Sequence, residues 1–420
     1  MLDLRRAPIV FALPLTLLAC GGTSVSDRVD HASGDDPSPY APGSFGDDVA
    51  FLHRHHPDLV VLERGDAQVA VAPAYQGRVM TSTAAGDDGA SFGWINRALI
   101  ASGETTPHMN AFGGEDRFWL GPEGGQYGLY FPVGAPYEFE VWQVPAAIDT
   151  EAWAVEARSE TEAVFTRRIE LSNHSGTAFT IGVRRAVRLL DPESTEPELE
   201  LPPEVQAVCY ETDNAIQNLG DAPWTPEQGL LSIWILSMYN PSPSTTVVIP
   251  YRPDGEGPIV NAAYFGQVPP DRLRIDEEAG VIYFVADGRQ RGKIGVPAGR
   301  ARPILGSWDA SRGALTLVRY TLPEAAPHGY VNSMWEDQAA PYGGDVANSY
   351  NDGPPAPGEA PLGPFYELES SSPAAALGPR ERLTHVHRTF HLVGERAALD
   401  EIARAQLGVG LDAIESAFAP

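Results

Sequence analysis

From residue 59 to residue 392 the chain repeats one pattern: a short stretch that alternates apolar and polar residues, or runs apolar, followed by a cluster of Gly, Pro, Asn or Asp. Alternation places every second side chain on the same face of an extended strand, and Gly and Pro end such stretches. The pattern predicts strands over residues 59–63, 68–73, 78–82, 93–100, 113–126, 128–132, 138–145, 152–159, 163–171 and 179–190. It continues over 230–238, 245–250, 272–275, 281–286, 293–297, 301–308, 314–322, 365–370 and 383–392. Strands this short, broken by turns about every 8–15 residues, belong to a large antiparallel β sandwich and not to βαβ units.

Two segments at the ends of this run have helical spacing. Residues 47–56 read as a short helix capped by Asp47 or Asp48, with His53, His55 and His56 along it as a solvated helix end. Residues 395–418 place Leu399, Ile402, Leu407, Leu411, Ile414 and Phe418 at helical intervals, with a break near Gly408–Gly410. Residues 338–364 are rich in Pro, Gly and Asn and long for a connection. With Tyr342, Asn348, Tyr350, Asn351 and Asp352 they read as a lid over a polar ligand. No boundary or repeat divides residues 57–392, so residues 49–420 are expected to form one domain, an all-β sandwich closed by a short C-terminal helical segment.

The N-terminus changes the picture. Arg5 and Arg6 precede an apolar run from Pro8 to Leu18, too short to span a bilayer, that ends Leu17-Leu18-Ala19-Cys20-Gly21-Gly22. This is similar to a bacterial lipoprotein signal. It implies removal of residues 1–19, lipid on Cys20, and a membrane-anchored protein of the cell envelope, with Gly21 pointing to the outer membrane. Residues 20–48, rich in Gly, Ser, Asp and Pro, then read as a flexible tether. The only other cysteine, Cys209, has no partner for an intrachain disulfide and reads as a small buried residue. A net charge of −27 excludes a phosphate-backbone footprint, so no nucleic-acid partner is expected. Of 29 basic residues all but Lys293 are arginine, a compositional bias against lysine.

The most concentrated chemistry lies at 113–126, Gly-Gly-Glu-Asp-Arg-Phe-Trp-Leu-Gly-Pro-Glu-Gly-Gly-Gln. Glycines allow close approach of the backbone, the charged cluster suits hydroxyl groups, and Phe118 and Trp119 offer a flat apolar face to the C–H side of a sugar. His108 lies just upstream. The competing reading is a turn-rich hairpin with surface charges.

With these residues the chain resembles the galactose mutarotase-like superfamily, the aldose 1-epimerases and their relatives, and more closely an uncharacterised bacterial branch of it. Residues 113–126 carry the resemblance together with Tyr330-Val331-Asn332-Ser333-Met334-Trp335-Glu336, the stretch 344–353, and Tyr366-Glu367-Leu368-Glu369-Ser370-Ser371-Ser372-Pro373-Ala374. The resemblance implies a β supersandwich with a sugar site on one sheet face. It implies a base, Glu369 or its neighbour Glu367, which share a strand face as i and i+2 and would raise one another's pKa. The acid it implies is less defined. The expected histidine motif is reduced to Asn173-His174-Ser175-Gly176, which reads as a turn, so His108 is the preferred acid and His174 the alternative. Arg117, Glu115, Trp119, Gln126, Arg185 and Glu336 are the implied substrate-binding residues. Arg185 stands in the file Phe179, Ile181, Val183, Arg185, Val187, where an arginine on an apolar side needs a partner; for Arg117 the competing role is a salt bridge to Glu115 or Asp116.

His385, His387 and His391 share one strand face, but i to i+6 spans about 20 Å, too far for one ion. They are expected to be packed strand histidines, and no metal or cofactor is expected. Three functions remain open: a sugar mutarotase or epimerase, a carbohydrate-binding lipoprotein without catalysis, and a polysaccharide-processing enzyme.

Overall fold

The structure, a computed structural model, describes residues 38–191, 199 and 201–419. The signal segment 1–19, Cys20 and most of the tether lie outside the described residues. Two antiparallel sheets carry the fold. The first has eight strands in the order β1 (Val60–Arg64), β2 (Ala67–Ala72), β3 (Arg78–Thr83), β4 (Gly114–Gly121), β9 (Ser232–Met238), β17 (Tyr366–Ser371), β16 (Asp345–Asn351) and β13 (Gly292–Pro297). The second has ten, in the order β11 (Leu273–Asp276), β12 (Val281–Val285), β10 (Thr245–Pro250), β14 (Ile304–Asp309), β15 (Ala314–Tyr320), β18 (Arg382–Gly394), β8 (Val205–Asn218), β7 (Ala178–Leu189), β6 (Glu162–Ser172) and β5 (Ala154–Arg158). The expected all-β sandwich is the fold observed.

The helices follow from local signals. Helix α1 (Phe45–His55) starts at Ser44, whose hydroxyl accepts from the Asp47 amide at 3.3 Å. Asp47 and Asp48, expected as caps, lie instead in the first turn, where they favour the helix dipole and hold Arg97 at 2.7 and 2.5 Å. The helix therefore begins inside the stretch read as tether, with Phe45 buried. Residues 93–100 form isolated bridges at Gly93 and Ile95 and then helix α2 (Arg97–Ser102), capped by Asn96. At the C-terminus, α3 (Arg396–Leu407) buries Ala398, Leu399, Ile402, Ala403 and Leu407, stops at Gly408 in the left-handed region (φ 80°), and is followed by α4 (Leu411–Ser416). Both pack on the ten-stranded sheet through a cluster that includes Trp308, Leu317, Phe390 and Ile414.

Four strand expectations are corrected. Residues 128–132 and 138–145 contain no strand but bends, irregular backbone and one 3-10 segment, Phe139–Val141. Strand β8 was not anticipated, because its inward side carries Tyr210, Thr212 and Asn214 among apolar residues and so hides the alternation. The expected lid at 338–364 contains β16, an interior strand of the eight-stranded sheet paired on both sides.

Between the sheets lies a polar layer as well as an apolar one. Arg185 is fully buried and bonded to Asp116 Oδ1 (2.7 Å), Asn214 Oδ1 (2.7 Å) and the Gly77 carbonyl (3.0 Å). Glu115 accepts from the Ser82 amide (2.5 Å) and hydroxyl (2.8 Å), the Tyr210 hydroxyl (3.0 Å) and His391 Nε2 (3.1 Å). The Ser370 hydroxyl lies 2.8 Å from both His385 Nε2 and His387 Nδ1. Burial pushes these two imidazoles down to about 3 and about 4, so they are neutral at physiological pH.

Candidate functional site

Strand β4 decides which residues face outward. A register shift between Gly114 and Arg117 breaks the alternation, so Glu115 and Asp116, consecutive in sequence, both point between the sheets. Arg117 and Trp119 then point to the opposite, outer face. Glu115 and Arg185, implied as sugar ligands, are thus inter-sheet residues, Glu115 bonded to Ser82, Tyr210 and His391 and Arg185 to Asp116, Asn214 and Gly77, and do not reach the outer face.

On that face the neighbours are set by register. Trp119 pairs with Trp234 on β9, Asn348 on β16 with Glu369 on β17, and Tyr350 with Glu367. The result is a charged centre with an aromatic wall. Arg117 Nη2 donates to Glu367 Oε1 at 2.6 Å, not to Glu115 or Asp116. Glu369 Oε2 accepts from Lys293 Nζ on β13 at 2.8 Å and from the Trp234 indole at 2.9 Å. Both carboxylates are buried, Glu369 completely. Burial pushes the Glu367 carboxyl up to about 8; Arg117 opposes the rise, and the adjacent, hydrogen-bonded Glu369 adds to it. Among the described residues Glu369 Oε1 has no hydrogen-bond donor, and a protonated Glu367 beside it would be one. Glu367 therefore holds its proton at neutral pH, beside a Glu369 carboxyl group that Lys293 and Trp234 hydrogen-bond.

The wall continues outward. The Arg117 guanidinium lies over the Trp119 ring at 4.3 Å, and Trp119 packs edge-to-face on Trp234 at 5.6 Å. Tyr130 links Trp119 to Trp142, which stacks on Trp335 at 5.7 Å. The Trp335 indole donates to Glu123 at 2.9 Å. Glu123 keeps part of its surface exposed, yet its carboxyl is enclosed enough that burial pushes it up, with Lys293 opposing. On the far side Lys293 lies 4.8 Å from the Trp234 ring and 5.6 Å from Tyr264. The Tyr264 hydroxyl donates to Asp345 and accepts from Asn348 Nδ2 at 3.1 Å.

The remaining sequence candidates fall elsewhere. His108 has its Nδ1 2.6 Å from the Trp142 carbonyl and its ring against Phe139, at the rim of the wall. His174 is tied at both nitrogens, to the Ala135 carbonyl (2.7 Å) and the Tyr137 hydroxyl (3.4 Å), as its turn reading implied. Gln126 uses both ends of its amide on the backbone of Gln338, at 3.0 and 2.9 Å, and so fastens the 330s loop. Glu336 is exposed on that loop; its neighbour Trp335 is the one that reaches the site. Lys293, Trp234 and Tyr264 were missed, and Glu123 was read only as part of the charged cluster at 113–126. For Lys293 a signal existed: a lone lysine in a chain that otherwise uses arginine.

Among solved structures, a protein assigned as an aldose 1-epimerase from Escherichia coli K12 is 13% identical with a TM-score of 0.47, the match covering 80% of this chain and 99% of that one. A galactose mutarotase-like protein from Lactobacillus casei ATCC 334 is 10% identical with a TM-score of 0.43, covering 79% and 99%. A galactose mutarotase related enzyme from Lactobacillus acidophilus is 8% identical with a TM-score of 0.44, covering 79% and 97%. These likenesses concern architecture, and no role of a residue is taken from them. No curated protein matches the chain. The model of a family of unknown function (DUF6786) matches residues 43–418.

Proposed function

The chain belongs to DUF6786, and from its site we propose that it binds a carbohydrate on the outer face of the eight-stranded sheet and interconverts the anomers of an aldose. The observation that carries this reading is the carboxyl pair: Glu367, its carboxyl pushed up by burial, beside Glu369, fixed between Arg117 and Lys293 and walled by Trp119 and Trp234. Anomer exchange needs a base at the anomeric hydroxyl and an acid at the ring oxygen, two atoms on the same carbon. Glu369 is the base and Glu367 the acid, in place of His108. The hydroxyl proton passes to Glu369 as the Glu367 proton passes to the ring oxygen. The ring opens to the aldehyde, rotates and closes by the reverse transfers. Arg117 and Lys293 hold the displaced charge, and the indoles cover the C–H face of the sugar.

Saturation-transfer NMR of anomer exchange with a panel of aldoses tests the reading. A Glu369→Gln variant with undiminished exchange sinks the base assignment. A second reading, binding without turnover, is favoured by the burial of the pair, since Glu369 is 0% exposed and a sugar must displace covering side chains to touch it. Binding in a glycan array with no exchange selects it. Lipid anchoring at Cys20 in the envelope is part of the proposal, supported by the 17–22 motif; the mass of the mature N-terminal peptide checks it.

A further inference from the structure

The outer face contains donors that no acceptor among the described residues uses. Of the five N–H donors of Arg117, one reaches the Glu367 carboxylate, Nη1 faces only the Met109 thioether at 3.8 Å, and Nε has no acceptor. The residue is 3% exposed, so bulk solvent reaches little of it. Directly beneath the guanidinium lies Trp119, also 3% exposed, whose indole N–H is equally without an acceptor. Trp142, two rings further along the same stack, is 8% exposed, and its N–H lies near Glu123 without reaching hydrogen-bond geometry. A buried unpaired N–H costs about 1–3 kcal/mol. Two or three of them side by side, one on a cation, form a surface short of acceptors.

Charge points the same way. Arg117 and Lys293 bring two cations to the centre. Glu369 answers Lys293, while Glu367 answers Arg117 with a carboxyl that burial keeps largely protonated at neutral pH. A neutral sugar offers hydroxyls that must themselves donate, whereas a carboxylate or phosphate brings only acceptors and a compensating charge.

We propose that the Arg117–Trp119 corner binds the acidic group of a sugar acid or sugar phosphate, anionic oxygens accepting from Arg117 Nε and Nη1 and from the Trp119 indole. The inference rests on the carbohydrate reading above and narrows it to anionic sugars. The protein's own charge of −27 slows the approach of such a ligand and makes selection depend on this corner.

The test is calorimetric titration of the full-length chain with glucose, glucuronate and glucose 6-phosphate at one ionic strength. The expected result is at least tenfold tighter binding of glucuronate or glucose 6-phosphate than of glucose; which of the two binds better identifies carboxylate or phosphate. Trp119→Phe keeps an aromatic side chain and removes the N–H, and it is the second variant should Arg117→Gln fail to fold. It is expected to weaken the acidic sugar several-fold more than glucose. Glucose binding as tight as either acidic sugar, or an equal loss for all three ligands in Trp119→Phe, overturns the inference and leaves the carbohydrate reading standing. Binding of none of the three overturns both.

Discussion

Glu367→Gln separates a carboxylic acid held neutral by the fold from an ordinary ion pair with Arg117. In the unfolded chain this side chain titrates near 4.5, and in the fold near 8. Between those values the folded protein keeps a proton that the unfolded chain has released, so stability falls as pH rises, by about 1.4 kcal/mol per pH unit for one proton. Above about 8 both states have lost it and the penalty is complete, on the order of 5 kcal/mol as an upper bound. The side chain is 5% exposed, so solvent screening takes little from this figure. Glutamine mimics the protonated form: its amide can donate to Glu369 Oε1 and never ionises. The variant is therefore expected to match the native protein near pH 5 and to be more stable at pH 8.5 by at least about 2 kcal/mol, allowing for a constant offset from the altered contact with Arg117. Urea unfolding of both proteins at half-unit steps from pH 5 to 8.5 gives the difference directly, because every other titration is common to both. Parallel curves would refute the shared-proton assignment, and a native protein that gains on the variant as pH rises would replace it with a plain salt bridge.

Other expectations follow from the same contacts. Glu369→Ala leaves Lys293 buried without its anion and is expected to cost about 3–5 kcal/mol in chemical unfolding; a loss below 1 kcal/mol would show that water reaches Lys293. Arg185→Ala breaks a fully buried pair and should cost a similar 3–5 kcal/mol while leaving the sugar affinity of the folded fraction unchanged; selective loss of binding would return Arg185 to the site. His385 and His387 stay neutral in the fold, so the native protein is expected to lose stability as pH falls from about 6.5 toward 4, where the unfolded chain takes up protons that the folded one refuses. His387→Gln should flatten that limb of the profile.

The alternation along β7 was readable well enough to predict that Arg185 faces an apolar side and needs a partner, and that side is the one facing Asp116. The i, i+2 spacing of Glu367 and Glu369 gave the carboxyl pair, because nothing interrupts β17. Arg117 was harder. Its charged neighbours in sequence, Glu115 and Asp116, suggested the wrong partner, since a register shift in β4 turns both away and a strand 250 residues on supplies Glu367. Strand β16 was hidden by the Pro- and Gly-rich segments around it, and β8 by polar residues that point inward to other polar residues. Pairing energies of that kind depend on which strands become neighbours, and the order β4-β9-β17-β16-β13 has no local signature.

The extra residue in β4 also has a consequence for how this chain can vary. The strand is a two-sided key whose teeth change sides at one notch. Deleting a single residue between Gly114 and Arg117 would restore a regular two-residue phase and leave no position for a second consecutive inward carboxylate. Either Arg185 would lose Asp116 or the Tyr210 and His391 cluster would lose Glu115. Substitutions in the outer layer can be exchanged one at a time, but length here cannot, because the interior and the ligand face are counted off the same eight residues. Chains that share the fold should therefore tolerate a change of letter along β4 before they tolerate any change of spacing from 114 to 121.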